Sequence, residues 1–125
     1  MEMKFYKCSL CGRIVEIVKD SASQLVCCGE AMDLLVPGKS DGAVEKHVPV
    51  VEVNGTTVTV KVGEVAHPML EEHYIEWIAI STSEGTQRKA LKPGDAPVAT
   101  FALTDTEQFV SAMAYCNLHS LWSSK

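Results

Sequence analysis

The chain has 125 residues, enough for one ordinary domain or two small ones. Hydrophobic residues make up 46% and charged residues 22%, and 11 Lys+Arg against 16 Asp+Glu leave a formal charge of −5, which argues against a protein that tracks nucleic-acid phosphates. No apolar run approaches the roughly 18–20 residues that cross a bilayer. The start, Met1-Glu2-Met3-Lys4-Phe5-Tyr6-Lys7, has no apolar export core, so the expected location is the cytoplasm.

In chain order, Phe5-Tyr6 and Ile14-Val15-Glu16-Ile17-Val18 read as short strands, and Leu25-Val26 leads into a cysteine pair. Cys8, Cys11, Cys27 and Cys28 lie in the first 28 residues, where there is no His. His47, His67, His73, His119 and Cys116 all lie beyond residue 40. This partition predicts a first domain over 1–36 and a second over 43–125. The polar stretch Pro37-Gly38-Lys39-Ser40-Asp41-Gly42 (37–42) reads as their linker. A module of that first size buries too little apolar surface to fold unaided; below about 40 residues a metal, disulfides or a partner chain is usually needed.

The second module reads as almost all β. Val48–Val53 and Thr57–Val62 flank Asn54-Gly55, the strongest hairpin signal in the chain. The second arm alternates Val with Thr or Lys, which predicts one buried and one wet face. Tyr74–Ile80 is a β-branched and aromatic strand, and Ser83-Glu84-Gly85 turns the chain before a strand around Gln87–Leu91. Pro93-Gly94-Asp95 turns it again before Val98–Leu103, and a last apolar run, Phe109–Tyr115, ends at Cys116. Helical propensity in that run yields to the strand pattern around it. Six or seven short strands with regular turns predict an antiparallel sandwich.

An odd number of cysteines in a chain without an export signal is a poor disulfide framework. Cys8-x-x-Cys11-Gly12 has the spacing that lets a tight turn present two sulfurs to one ion, and Cys27-Cys28-Gly29 supplies two more. Four thiolates suit tetrahedral zinc or a single iron, and spacing does not choose between them. Neighbouring side chains diverge in a regular strand, so the adjacent pair requires a distorted turn. With that pair, residues 1–36 resemble desulforedoxin, a small rubredoxin-like iron protein.

The histidines fall in loops and at strand ends, where a sandwich gathers its functional groups. Their segments are Glu45-Lys46-His47-Val48-Pro49, Ala66-His67-Pro68-Met69, His73-Tyr74-Ile75-Glu76-Trp77 and Tyr115-Cys116-Asn117-Leu118-His119. With Leu91-Lys92-Pro93-Gly94-Asp95-Ala96-Pro97 and the four-cysteine module, they make nearly the whole chain resemble desulfoferrodoxin, the two-iron form of superoxide reductase. The resemblance implies a desulforedoxin-like domain followed by an immunoglobulin-like β-sandwich, with two irons per chain. Carried onto this sequence, the first iron takes Cys8, Cys11, Cys27 and Cys28; the catalytic iron takes His47, His67, His73 and His119 as equatorial ligands and Cys116 as the axial one. By the same resemblance Glu45 occupies the sixth position of the oxidised iron, and Lys46 attracts superoxide and helps deliver protons. A rubredoxin-like electron donor and a homodimer are also implied.

Four neutral imidazoles and one thiolate leave a ferrous site with formal charge +1 and an open position for a small anion. One electron to superoxide and two protons make hydrogen peroxide, with no oxygen produced. Glu72 stands where family members often carry a basic residue, and Ser120-Leu121-Trp122 stands where Gly-His-Trp is common. Two other classes remain open from sequence: an electron-transfer protein working through the four-cysteine iron with a structural His/Cys site, and a zinc-stapled binding protein.

Overall fold

Alternation of Val with Thr and Lys in Thr57–Val62 demands a half-buried strand, and the computed structural model, which describes residues 2–40 and 42–124, contains one there. Asp41, in the expected linker, lies outside the described residues. The chain divides into two compact units, one over Glu2–Val36 and one that begins at Pro37.

The smaller unit is held by few backbone rungs. Strand β1 (Phe5–Lys7) pairs antiparallel with β2 (Ile14–Glu16) on one side and β5 (Asp33–Leu34) on the other. A separate two-residue ladder joins β3 (Val26–Cys27) to β4 (Glu30–Ala31). Lys4 and Asp20 form an exposed ion pair at 2.9 Å. Its electrostatic value is small at such exposure.

The larger unit is the expected antiparallel sandwich. One sheet has the order β10-β7-β6, from β6 (Pro49–Asn54), β7 (Thr57–Val62) and β10 (Val98–Ala102). The other has the order β12-β11-β8-β9, from β8 (Ile75–Thr82), β9 (Gly85–Ala90), β11 (Phe109–Cys116) and β12 (Ser120–Ser123). Inward residues of both sheets, among them Val58, Val60, Val62, Phe101, Ile78, Ile80, Ala112 and Ala114, form one buried cluster that also includes Cys116. A candidate ligand sulfur therefore sits at the rim of the apolar core rather than in a surface loop.

Three details depart from the sequence expectations. The hairpin between β6 and β7 pairs Asn54 with Thr57, so its two-residue loop is Gly55-Thr56 and not Asn54-Gly55. Gly55 has φ +62 and Thr56 needs no positive φ, which suits a turn with Gly at its first central position. The segment before β6 forms a single helical turn, α1 (Val44–His47), where the sequence pattern predicts only a polar lead-in. Strand β12 follows Cys116, beyond the point where the predicted strands end.

Gly63 is the contact on which α1 rests. A Cβ built there would stand 2.8 Å from the Glu45 carbonyl oxygen and 2.9 Å from that of Val48, both main-chain atoms that cannot swing aside. The Val65 N–H also donates to the Glu45 carbonyl at 3.0 Å. Gly63→Ala is expected to destabilise the protein by about 1–3 kcal/mol through overpacking, read as a lower midpoint in chemical denaturation with an unchanged slope.

Candidate metal centres

The four cysteines of the smaller unit meet because two tight turns face each other. In the first, the Cys11 N–H points to the Cys8 sulfur at 3.5 Å, and the Gly12 N–H donates to the Cys8 carbonyl at 2.9 Å. In the second, Cys28-Gly29 is the two-residue loop between β3 and β4, with φ +54 and +77. Two successive positive φ values are what a type I′ turn requires, with Cys here in the place usually taken by Asn. This is the distortion that adjacent cysteines demand.

All four sulfurs lie within 4.8 Å of one another. Cys11 and Cys27 are 3.6 Å apart and Cys27 and Cys28 3.9 Å, far beyond the roughly 2.0 Å of a disulfide. A tetrahedral ion with bonds of about 2.3 Å sets its sulfurs about 3.8 Å apart. Without a cation the four cannot all be thiolates. The Cys11 N–H pulls Cys8 down to about 6, while hydrogen bonding to Cys11 pushes Cys27 up to about 12. Metal capture at this cluster must release protons.

In the larger unit the four imidazoles form a square. Neighbouring ring centroids are 4.5 Å (His47–His67), 4.7 Å (His67–His73), 5.2 Å (His73–His119) and 4.8 Å (His119–His47), each pair edge to face. His47 and His73 face each other across the diagonal at 6.4 Å. His47, His67, His73 and Cys116 bring one donor atom each within 4.8 Å of the others, and the Cys116 sulfur is 3.9 Å from Nδ1 of His119.

The ring orientations are set by backbone carbonyls. His47 Nδ1 lies 2.8 Å from the Ala43 oxygen, and His67 Nδ1 lies 2.7 Å from the Pro68 oxygen. A carbonyl only accepts, so both Nδ1 atoms carry the proton and both Nε2 atoms are bare. Those two Nε2 atoms are nevertheless 3.0 Å apart, lone pair against lone pair. Two nitrogens bonded at right angles to one ion at about 2.1 Å stand about 3.0 Å apart. Among the described residues, His73 Nε2 is buried with no hydrogen-bond partner. The donor set fits a cation, and little else would hold it together.

Burial also keeps imidazoles in their ligating form, while at the cysteine it works against the ligating thiolate. It pushes the imidazoles of His47, His67 and His73 toward the neutral state, His67 to about 4, and it pushes the Cys116 thiol up. Backbone N–H groups of Leu118 and His119 oppose that rise at Cys116. Around the square, the Trp122 indole stacks on His47 at 5.0 Å and donates to the His119 carbonyl at 2.9 Å, and Ser40 Oγ donates to the same oxygen at 2.5 Å. Gly42 lies so close that a Cβ would meet both His47 and His119 at 2.9 Å. Ser40, Gly42 and Trp122 give no signal in the sequence as site residues.

Lys46 and Glu45 are exposed on α1. The Lys46 charge reaches the site, adding to the forces that keep His47 and His73 neutral. Glu45 does not join the ligand cluster; it lines a cavity of about 430 Å³ with Val44, Val48, Val51, Glu64 and Phe109.

A four-sulfur cluster on a small β unit and a four-imidazole, one-thiol cluster on a β-sandwich define a two-centre metalloprotein. Desulfoferrodoxin matches the chain over residues 39–125 and the desulfoferrodoxin N-terminal domain over residues 1–35. A desulfoferrodoxin homolog of Archaeoglobus fulgidus is 53% identical over 122 residues, covering 98% of this chain and 96% of that protein. The crystal structure of the superoxide reductase from Treponema pallidum is 43% identical, covers all of both chains and superposes with a TM-score of 0.84. A superoxide reductase (1Fe-SOR) from Giardia intestinalis is 40% identical, covering 64% of this chain and 95% of its own, with a TM-score of 0.55. The chain belongs to the desulfoferrodoxin family. Its two clusters fit the two iron centres of that family.

The two centres do not share a ligand. Cys11→Ser is expected to cost one of two irons per chain and the visible absorption of a four-sulfur ferric site, while the His/Cys centre stays fully loaded; iron analysis and absorption spectra check this.

Proposed function

We propose that this protein reduces superoxide to hydrogen peroxide with an electron from an iron that His47, His67, His73, His119 and Cys116 would hold. The observation that carries the reading is the facing pair of bare Nε2 atoms at 3.0 Å within a square of imidazoles beside one buried thiol. Five protein ligands leave one position for a small anion, whereas structural sites are normally closed. When bound, ferrous iron supplies the one electron that superoxide accepts, and two protons complete the peroxide.

The chain's own residues do the rest. Burial holds the imidazoles of His47, His67 and His73 neutral, and Cys116 is the one ligand that brings a negative charge. The N–H groups of Leu118 and His119 favour the thiolate that burial alone would disfavour. Lys46 adds the local positive charge that a chain of net charge −5 needs in order to attract an anion. Glu45, two residues before His47, would supply a carboxylate to the oxidised iron.

The four-cysteine iron takes Cys8, Cys11, Cys27 and Cys28 as an auxiliary centre, with Cys11 and Cys28 at its exposed side. The donor is a rubredoxin-like protein. Leu10, Val18 and Val26 are 61%, 95% and 63% exposed on a small unit, which supports pairing of two copies into a homodimer. Five free thiols suit the reducing cytoplasm. The domain reading stays that of 1–36, 37–42 and 43–125.

Lys46→Ile tests the reading against an electron-transfer protein with a structural His/Cys site. The bimolecular reaction of the reduced protein with superoxide should slow about tenfold if the charge contributes ~1.4 kcal/mol. The wild-type rate should fall with rising ionic strength, and that slope should flatten or invert in the variant. An unchanged rate with unchanged salt dependence by pulse-generated superoxide would refute the role of Lys46. Glu45→Ala should leave the encounter rate nearly unchanged and alter the spectrum of the oxidised His/Cys centre.

A further inference from the structure

The ladder between β8 and β11 breaks where two ligands approach each other. Tyr115 pairs with Trp77, but Cys116 pairs with Ile75, so Glu76 is skipped. A bulge of this kind re-aims the chain that follows it and ends regular pairing. The next rung is made half from a side chain. The Asn117 N–H donates to the Tyr74 carbonyl at 3.2 Å, but the Tyr74 N–H donates to Asn117 Oδ1 at 3.0 Å, where a regular rung would use a main-chain oxygen. The same carboxamide donates from Nδ2 to the Glu72 carbonyl at 3.2 Å.

Asn117 therefore grips both neighbours of His73 while its own peptide bond joins it to Cys116. The remaining polar atoms of the His73 backbone are taken as well. Its carbonyl accepts from the Leu70 N–H at 2.9 Å, and its N–H donates to the Leu70 carbonyl at 3.1 Å. A carboxamide offers an acceptor and a donor side by side, whereas a carboxylate lacks the donor and an aliphatic side chain lacks both.

We propose that Asn117 is a positioning residue that fixes His73 against Cys116, so that both ligands stand at their binding distance before iron arrives and release it slowly afterwards. This rests on the reading of His73 and Cys116 as ligands of one ion. The residue touches neither substrate nor metal. Its effect belongs to retention of iron, since a ligand whose flanking backbone is free to move dissociates more readily from its ion.

The test uses the full-length, reduced, iron-loaded protein and an external ferrous chelator. Iron loss from the His/Cys centre is followed spectroscopically, with the four-sulfur absorption as an internal control. Asn117→Ala should release that iron about tenfold faster or more, as removal of a group that orients a ligand typically does, and hydrogen exchange at the Tyr74 amide should accelerate. Asn117→Asp keeps the acceptor for Tyr74 and loses the donor to Glu72. Its added negative charge alone would hold a cation more tightly, so faster release from this variant supports positioning and slower release overturns it. Release from Asn117→Ala within twofold of wild type overturns the proposal; if that variant does not fold, wild-type release from Asn117→Asp does so. His73→Gln and Cys116→Ser separate the two levels. If neither speeds iron loss, the ligand reading fails and the proposal with it; if both do while the Asn117 variants do not, only the proposal fails.

Discussion

Two imidazole nitrogens that both lack a proton stand 3.0 Å apart at the end of the sandwich, and much of the larger unit is arranged around that contact. Alone it is repulsive, because each lone pair faces the other and neither ring can turn without abandoning the carbonyl that holds its Nδ1–H. A cation between them converts the repulsion into two bonds. The arrangement is thus costly when empty and favourable when filled, and metal binding is coupled to the order of every segment that carries a ligand.

Those segments are distant in sequence, and the sandwich brings them together. His47 ends α1, His67 and His73 flank a loop closed by the Leu70–His73 bridge, and His119 sits in the hairpin between β11 and β12. Cys116 is the last residue of β11 and belongs to the apolar core. Placing the thiol there fixes one ligand to the packed core, and the imidazoles close over it from two loops and a helical turn. Burial then does two things with one cause: it keeps His47, His67 and His73 neutral, ready to bind, and it disfavours the Cys116 thiolate unless N–H groups or a metal compensate.

The donor residues themselves were legible in the sequence because metal chemistry restricts residue type and spacing so severely. Paired cysteines in a module too small to fold alone point to metal ligation by themselves, whereas a single histidine does not, and the histidines with Cys116 became a ligand set only through the resemblance to desulfoferrodoxin. The sandwich was legible for a similar reason, since Thr57–Val62 and Tyr74–Ile80 show strand periodicity without help from context. What escaped detection depends on tertiary partners. Helix α1 is one turn long and rests on the backbone of Gly63, a contact no local pattern encodes. The hairpin turn moved by one residue because either Asn54-Gly55 or Gly55-Thr56 satisfies local turn chemistry, and the pairing of Val58, Val60 and Val62 into the core decides between them. Ser120 has φ +64, a conformation that costs an L-residue what it would not cost a glycine. The bonds that hold the His119 carbonyl, from Ser40 and Trp122, supply the constraint that a glycine's freedom would not need.

Substrate attraction raises a question of sign. The chain is acidic overall, and Glu72 stands directly beside a ligand. At His73 the two nearest side-chain charges oppose each other: the Glu72 carboxylate favours a positive ring and Lys46 disfavours it. An incoming anion feels the same pair with reversed sign, repelled by one and drawn by the other. At physiological salt each is screened over about 8 Å, so neither governs approach from far away. Over the last few ångströms the positive charge of a ferrous centre with one thiolate ligand outweighs both, because it is nearer and sits in a medium of lower dielectric constant. In the proposed function Lys46 acts chiefly in the interval between, where the anion has come within screening range but has not yet entered the site. Its position on a single helical turn, one residue before a ligand, places a flexible charge over that interval without burying it, and the desolvation that a buried ammonium would suffer is avoided.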